Sequence, residues 1–248
     1  MAMASHAGRV RLRNEDRVAC HADSGLAVLA DGMGGHAGGA EAAWIAVAAW
    51  MERMEQGAET AHLHEADLRE AVLLANDRVR QAAAEDPALR GMGTTLVGAC
   101  FRGDGSLLHA HVGDSRLYQF REGGLRCLTR DHSVLREQWD AGMIDAGSPG
   151  AAHLRGLLTR AVGVDDLVEP DVGVMRLEQD DIYLLCSDGL TDMVPDAAIA
   201  EVLATLGANP PLAAEHLIDL ANDRGGMDNV SVIVVSSCAA VRLGTELG

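Results

Sequence analysis

Lysine is absent from this sequence: all 20 of its basic residues are arginine. That removes, in one step, the phosphate-binding lysine of P-loop nucleotide enzymes, the strand lysine of kinases and all Schiff-base chemistry. Aromatic residues make up only 3% of the chain, so a core must be built from Val, Leu, Ala and Ile. No CxxC pair exists. Cys20, Cys100, Cys127, Cys186 and Cys238 are scattered and odd in number, which is the usage of reduced cytoplasmic thiols rather than of a disulfide framework. None has Arg six positions later, so a cysteine-based phosphate loop has no support. Positive charge is scarce too, with a formal net charge of −17. Nonspecific partnership with nucleic acid or an anionic membrane is thereby disfavoured. Neither a signal peptide at Met1 nor an apolar run of membrane-spanning length is evident, and the expected setting is the cytoplasm.

What the chain does have is 48% hydrophobic residues over 248 positions, enough for one large core or two small ones. Short Val/Leu/Ile-rich runs bounded by Gly, Asp or Ser predict strands at 26–30, 94–101, 107–113, 116–120, 182–186 and 230–235. Apolar spacing near 3.6 predicts helices at 40–55, 63–85, 133–141, 196–206 and 211–223. Strands and helices do not alternate strictly. An α+β arrangement of antiparallel sheets packed against helices fits better than a doubly wound parallel sheet. Residues 142–158, with their Gly/Ser/Pro centre, read as a flap within the domain.

The distinctive pattern is acidic. The stretch LADGMGGHAGG (29–39) ends an apolar run on Asp31 and follows it with five glycines. Asp114 follows LLHAHVG, Asp188 follows IYLLCS, Asp228 precedes the last strand, and Asn14-Glu15-Asp16 precedes RVACHA. A single acid at a strand end is a turn or cap, and Asp180-Asp181 is read that way. The repeated arrangement is different, because clustered carboxylates repel unless protonated or neutralised. Hard Mg²⁺ or Mn²⁺, which favours oxygen ligands, is the expected remedy. Two such ions can share a bridging hydroxide and clamp a phosphoryl oxygen. His109 and His111 share a strand face; core or surface imidazoles are favoured there over a zinc pair. His132 is read as organising its loop, Thr94 and Thr95 as strand residues with local hydrogen bonds, and Trp44 and Trp50 as a helix core face. His62 and His64 are read as solvated at a helix start. Arg9 and Arg13 are read as a solvated strand face.

Eight segments resemble the metal-dependent protein serine/threonine phosphatases of the PPM (PP2C-type) family, in their bacterial form. They are GRVRLRNED (8–16), LADGMGGHAGG (29–39), GMGTTLVGACF (91–101), HVGDSRLYQF (111–120), LTRDHS (128–133), LTRAVG (158–163), LLCSDGLTD (184–192) and GGMDNVSVIVV (225–235). They stand in the family's order from about residue 8 to 235. The resemblance implies a four-layer α-β-β-α sandwich over 1–248, with two central, mainly antiparallel sheets and a metal cleft at one end. It implies Asp31 as the acid bridging two metals and the Gly32 carbonyl as a ligand of one, with Asp188 and Asp228 as ligands of the other. Asp114 is implied at a third, weaker site that shares Asp188, with Asp192 as a further partner. Glu15 would support a metal-held water, with Asp16 beside it, and Arg11 would hold the phosphate. Glycine at 34, 35, 38 and 39 is then explained by close substrate approach and by backbone angles closed to side chains. The implied activity is direct hydrolysis of phosphoserine and phosphothreonine by a metal-activated water, without a phosphoenzyme. The implied cofactors are two Mn²⁺ or Mg²⁺ ions, with a third held weakly. The implied partner of a monomeric enzyme is a phosphoprotein, either the target of a Ser/Thr kinase or the kinase itself. The family's eukaryotic members carry His directly after the Asp-Gly; here Met33 stands there. His36 is left either as general acid or as a brace for the loop.

Overall fold

This computed structural model describes residues 1–34, 38–56, 63–145 and 151–237. One sheet has the strand order β2 (Asp16–His21), β3 (Leu26–Met33), β5 (Leu96–Phe101), β6 (Ser106–Val112) and β9 (Asp171–Arg176), with β4 (Gly93–Thr94) paired to the end of β3. The other runs β1 (Ala2–His6), β11 (Val230–Ser236), β10 (Ile182–Cys186), β7 (Arg116–Arg121) and β8 (Gly124–Cys127). All of these pairings are antiparallel.

The period-2 geometry of a strand explains why the apolar runs are continuous rather than alternating. Along β3, Ala27 and Leu29 face the other sheet, where they join Val97, Leu117, Tyr183, Leu185 and Ile233. Leu26, Val28 and Ala30 face the opposite way, against α1 (Gly38–Gln56) and α2 (Glu65–Glu85). In the second sheet Leu184, Val232 and Val234 turn outward to α5 (Asp196–Leu206) and α6 (Pro210–Asp223). Three apolar seams therefore bind four layers, α-β-β-α, as expected. Few aromatics are needed, although Phe101 and Tyr183 meet edge to face between the sheets at 5.3 Å.

The differences from expectation lie at the margins. Strands β1, β2, β8 and β9 were not foreseen as strands; each lies at a sheet edge, and none carries a continuous apolar run. The run 94–101 is broken, since Thr95 stands between β4 and β5. Helix α1 starts at Gly38, two residues before the expected Ala40. Trp50 is buried, but Trp44 is half exposed and is not part of the core face. His64 is exposed at the head of α2, where its N–H donates to Asp67 at 2.8 Å; His62 lies outside the described residues. Arg9 and Arg13 are exposed, as expected, but on a loop and not a strand. Of the expected flap, residues 146–150 lie outside the described residues.

Asp181 is the clearest correction. It is fully buried, not a solvated turn acid. It accepts two hydrogen bonds from Arg121, both at 2.6 Å, one from Tyr183 at 2.8 Å and one from Gln119 at 2.9 Å. Burial alone would raise its pKa; the Arg121, Tyr183 and Gln119 bonds outweigh burial and hold it below the usual carboxylate value. Because Arg121 is partly exposed, deletion should cost less than losing a wholly buried pair, about 2–3 kcal/mol. Urea unfolding of Asp181→Ala should show that loss. A change within about 0.5 kcal/mol, typical of a surface site, would return Asp181 to a plain turn.

Candidate metal centre

Both sheets deliver acids to the same end of the sandwich. Strand β3 continues past its apolar run, so Asp31 stays in the ladder and lies opposite Asp16 in the β2–β3 register. Asp114 occupies the turn from β6 to β7. In the other sheet, Asp188 opens the short helix α4 (Asp188–Thr191) just after β10, and Asp228 stands two residues before β11. Arg11, Glu15, Asp31, Gly32, Asp114, Asp188 and Asp228 line one cavity of about 720 Å³. A smaller adjoining cavity of about 50 Å³ is lined by Asp114, Asp188, Asp192 and Arg155. Asp16 sits behind the larger cavity and accepts from Ser187 Oγ at 2.9 Å. His36 lies outside the described residues.

The electrostatics of this arrangement are severe. Burial first, and then repulsion from Asp16, Asp188, Asp114 and Asp228, pushes the Asp31 carboxyl well above its ordinary range. Asp188 is raised in the same way, by burial and then by Asp114, Asp192 and Asp228. Asp16 and Asp114 are each pushed up to about 6, chiefly by burial. Burial also raises Asp192. Among the described residues neither Asp31 nor Asp188 has an arginine partner. Arg11 reaches only the rim, where it pairs with Asp228 at 2.6 Å. One oxygen of Asp16 is buried without a hydrogen-bond partner. Acids so placed, which offer carboxylate oxygens as ligands and no Cys or His beside them in the cavity lining, fit hard divalent cations.

The glycines fit this packing more than they fit substrate access. A Cβ on Gly32 would lie 2.1 Å from the Gly39 carbonyl oxygen, and one on Gly39 would lie 2.1 Å from Glu15 Oε2. The head of α1 is thus pressed against the acidic loop, and glycine at 39 makes room for Glu15. Gly34 does hold a backbone angle closed to most side chains, at φ +132°. Gly38 lies beneath Met92.

The protein phosphatase 2C profile matches residues 4–220. The chain belongs to that family. It is 39% identical to the serine/threonine protein phosphatase PstP of Mycobacterium tuberculosis over 234 residues, which is 93% of this chain but 43% of that protein. The chain thus spans less than half the length of that relative. It is 37% identical to the serine/threonine phosphatase stp of Listeria monocytogenes, covering 92% of both chains. Among solved structures, the PstP catalytic domain in complex with two manganese ions is 39% identical, with a TM-score of 0.82 over 94% of this chain and 95% of that one.

In this phosphatase 2C chain, two supports escaped sequence reasoning. Asn229 accepts from the Glu15 N–H at 2.7 Å and donates to the Arg13 and Ala7 carbonyls at 2.8 and 3.1 Å, clamping the Arg11 loop beside Asp228. Its one signal in the sequence is its place directly after Asp228. Thr95 was expected to bond locally. Instead its hydroxyl accepts from the Asp31 N–H at 2.9 Å and bonds Ser115 at 2.7 Å.

His111, His132 and Asp171 also converge, but they do not fit a metal. The two rings are stacked, with centroids 4.5 Å apart and planes at 23°, so their in-plane lone pairs do not meet at one point. His132 Nδ1 already accepts from the Gly113 N–H at 3.2 Å, which leaves the proton of the neutral ring on Nε2. Burial foremost holds both His109 and His111 down at about 4, as expected of imidazoles in a core.

A pH test follows from the signs. Asp16 and Asp114 have ordinary values of 3.8 and folded values near 6. In chelator the folded protein therefore holds protons that the unfolded chain has released, and stability falls as pH rises through that window. A bound cation takes the ionised acids and removes this penalty. The Mn²⁺-minus-chelator difference in Tm should widen from pH 4 to pH 6, the histidine contributions cancelling between arms. A constant or narrowing difference would contradict the assignment.

Proposed function

We propose that this chain is a metal-dependent protein phosphatase that hydrolyses phosphoserine and phosphothreonine in proteins. The observation that supports this most is the convergence of Asp31, Asp188, Asp228 and Asp114 with Arg11 on one cavity of about 720 Å³. Asp31 would bridge two cations, either Mn²⁺ or Mg²⁺. The Gly32 carbonyl would complete one of them, and Asp188 and Asp228 the other. Asp114, Asp188 and Asp192 around the smaller cavity would hold a third, weaker ion. The likeness to a structure with two manganese ions supports the pair. We read the whole chain as one catalytic unit and a monomer, with residues 142–158 as its flap. A phosphorylated target of a Ser/Thr kinase, or the kinase itself, would be its substrate.

When bound, the cations supply a water acidified toward neutrality and positive charge against the phosphoryl oxygens. The residues of the chain do the rest. The Arg11 guanidinium, with a side chain 57% exposed at the cavity rim, is free to trade one Asp228 oxygen for a phosphate, which its planar fork fits in bidentate fashion. Asp228 hydrogen-bonding foremost keeps that guanidinium firmly charged. Asn229 holds the loop that carries Arg11, and Glu15 faces the cavity where it can accept a proton or orient water. Asp16, half-buried and with its pKa pushed up to about 6, backs Asp31 through the strand register. His36 is our candidate donor to the leaving oxygen on sequence grounds.

The test is a phosphopeptide assay with Mn²⁺. Asp188→Asn should lose roughly 100-fold or more in kcat/KM with its fold intact by circular dichroism. Arg11→Ala should act mainly through KM. Full activity in Asp188→Asn would remove it from the site. A parent protein that binds Mn²⁺ yet hydrolyses no phosphopeptide would favour a binding module.

A further inference from the structure

Gly113 has both of its backbone polar groups closed by one residue that lies 19 positions away. The His132 N–H donates to the Gly113 carbonyl at 2.9 Å, and the Gly113 N–H donates to His132 Nδ1 at 3.2 Å. Such ring-to-backbone pairing is specific, because only one tautomer of neutral His132 offers a lone pair at Nδ1. The surroundings are compatible with that tautomer. Nε2 lies 3.3 Å from an Asp171 oxygen without closing a hydrogen bond, and Arg160 holds Asp171 at 2.8 Å. The His111 ring covers the His132 face, fixed in turn by its Nε2–H on the Arg130 carbonyl at 2.9 Å. His132 is buried, so water cannot substitute for it.

The residue after this anchor is Asp114. On its other side Ser115 is tied to Thr95, whose hydroxyl carries the Asp31 N–H. Gly113 itself stands at φ +100°, with the Thr95 side chain 2.6 Å from where a Cβ would lie. The turn that presents Asp114 is thus pinned at both ends, by His132 before it and by Thr95 after it. The same His132 uses its carbonyl to accept from the Thr159 N–H at 2.9 Å, at the point where the chain returns from the flap segment.

We infer that His132 is a positioning residue for Asp114: its Nδ1 lone pair sets the Gly113–Asp114 backbone, and with it the affinity of the smaller cavity for its cation. It touches neither substrate nor cation. The inference rests on reading Asp114 as a ligand. Partners one step removed from a ligand shape metal affinity strongly, typically by 10–100-fold.

Three substitutions in the full chain test this by Mn²⁺ calorimetry, with thermal melting alongside. Asn places Oδ1 where Nδ1 stood, Phe keeps the ring without an acceptor, and Gln puts its polar group near Nε2 and leaves Nδ1 unreplaced. His132→Asn should keep the parent affinity of the weaker Mn²⁺ class even though it loses thermal stability with the ring. His132→Phe should weaken that class by about 10-fold or more and leave the tight class unchanged. His132→Gln should follow Phe, and it serves where Phe does not fold. Parent-like weak binding in Phe and Gln would overturn the inference, as would equal losses in Asn, Phe and Gln, which would mark simple packing. Asp114→Asn separates the underlying reading. If it leaves the weaker class intact, the ligand assignment fails and the inference with it. If it abolishes that class while His132→Phe and His132→Gln do not weaken it, the inference alone fails.

Discussion

Repulsion among half-buried carboxylates is the constraint on which the rest of this structure depends. Asp31 and Asp188 lie in a cavity shared with Asp114 and Asp228, and no arginine partners either of them among the described residues. Two charges about 4 Å apart cost about 4 kcal/mol at an effective dielectric near 20. Such a cluster is relieved either by holding protons or by taking compact positive ions among the acids, and divalent cations are the ions that oxygen ligands select. The cost of assembling the acids and the readiness to bind metal are one quantity seen from two sides.

The sandwich exists in the form that can bear that cost. Asp16 and Asp31 come from one sheet, Asp188 and Asp228 from the ends of the other, and Asp114 from the turn that joins the two. The seam of Leu29, Val97, Leu185 and Ile233 between the sheets holds the two sets of ends in register. Backbone anchors then fix each acid locally: Thr95 on Asp31, Ser187 on Asp16, and Asn229 on the loop beside Asp228. These neutral hydrogen bonds set geometry without adding charge, so they leave the demand for a cation intact.

How much of this was legible in the sequence follows from range. Strands such as 182–186 were visible because burial on both faces demands an unbroken apolar run. The acidic corners were visible because the same local pattern recurred, and the family resemblance ordered them into a site. Edge strands such as β1 and β9 were not, since their strand character comes from pairing with Val230–Ser236 and Ser106–Val112 rather than from their own composition. Asp181 looked like a turn acid because its partners Arg121 and Gln119 lie about 60 positions away. Thr95 was misread as local for the same reason. The glycine at 39 was assigned to substrate approach or to backbone angles closed to side chains, yet the atom it makes room for is Glu15 Oε2, which no local pattern reveals.

The central claim is that cations, not protons, neutralise the acids at the strand ends. Anomalous scattering at the manganese edge, from crystals of the full chain grown with Mn²⁺, addresses it without recourse to activity. The account predicts two strong peaks about 3.5–4 Å apart on either side of the Asp31 carboxylate, one of them within reach of Asp188 and Asp228. A map with no peak at Asp31, or with manganese only at His111, His132 and Asp171, would contradict it.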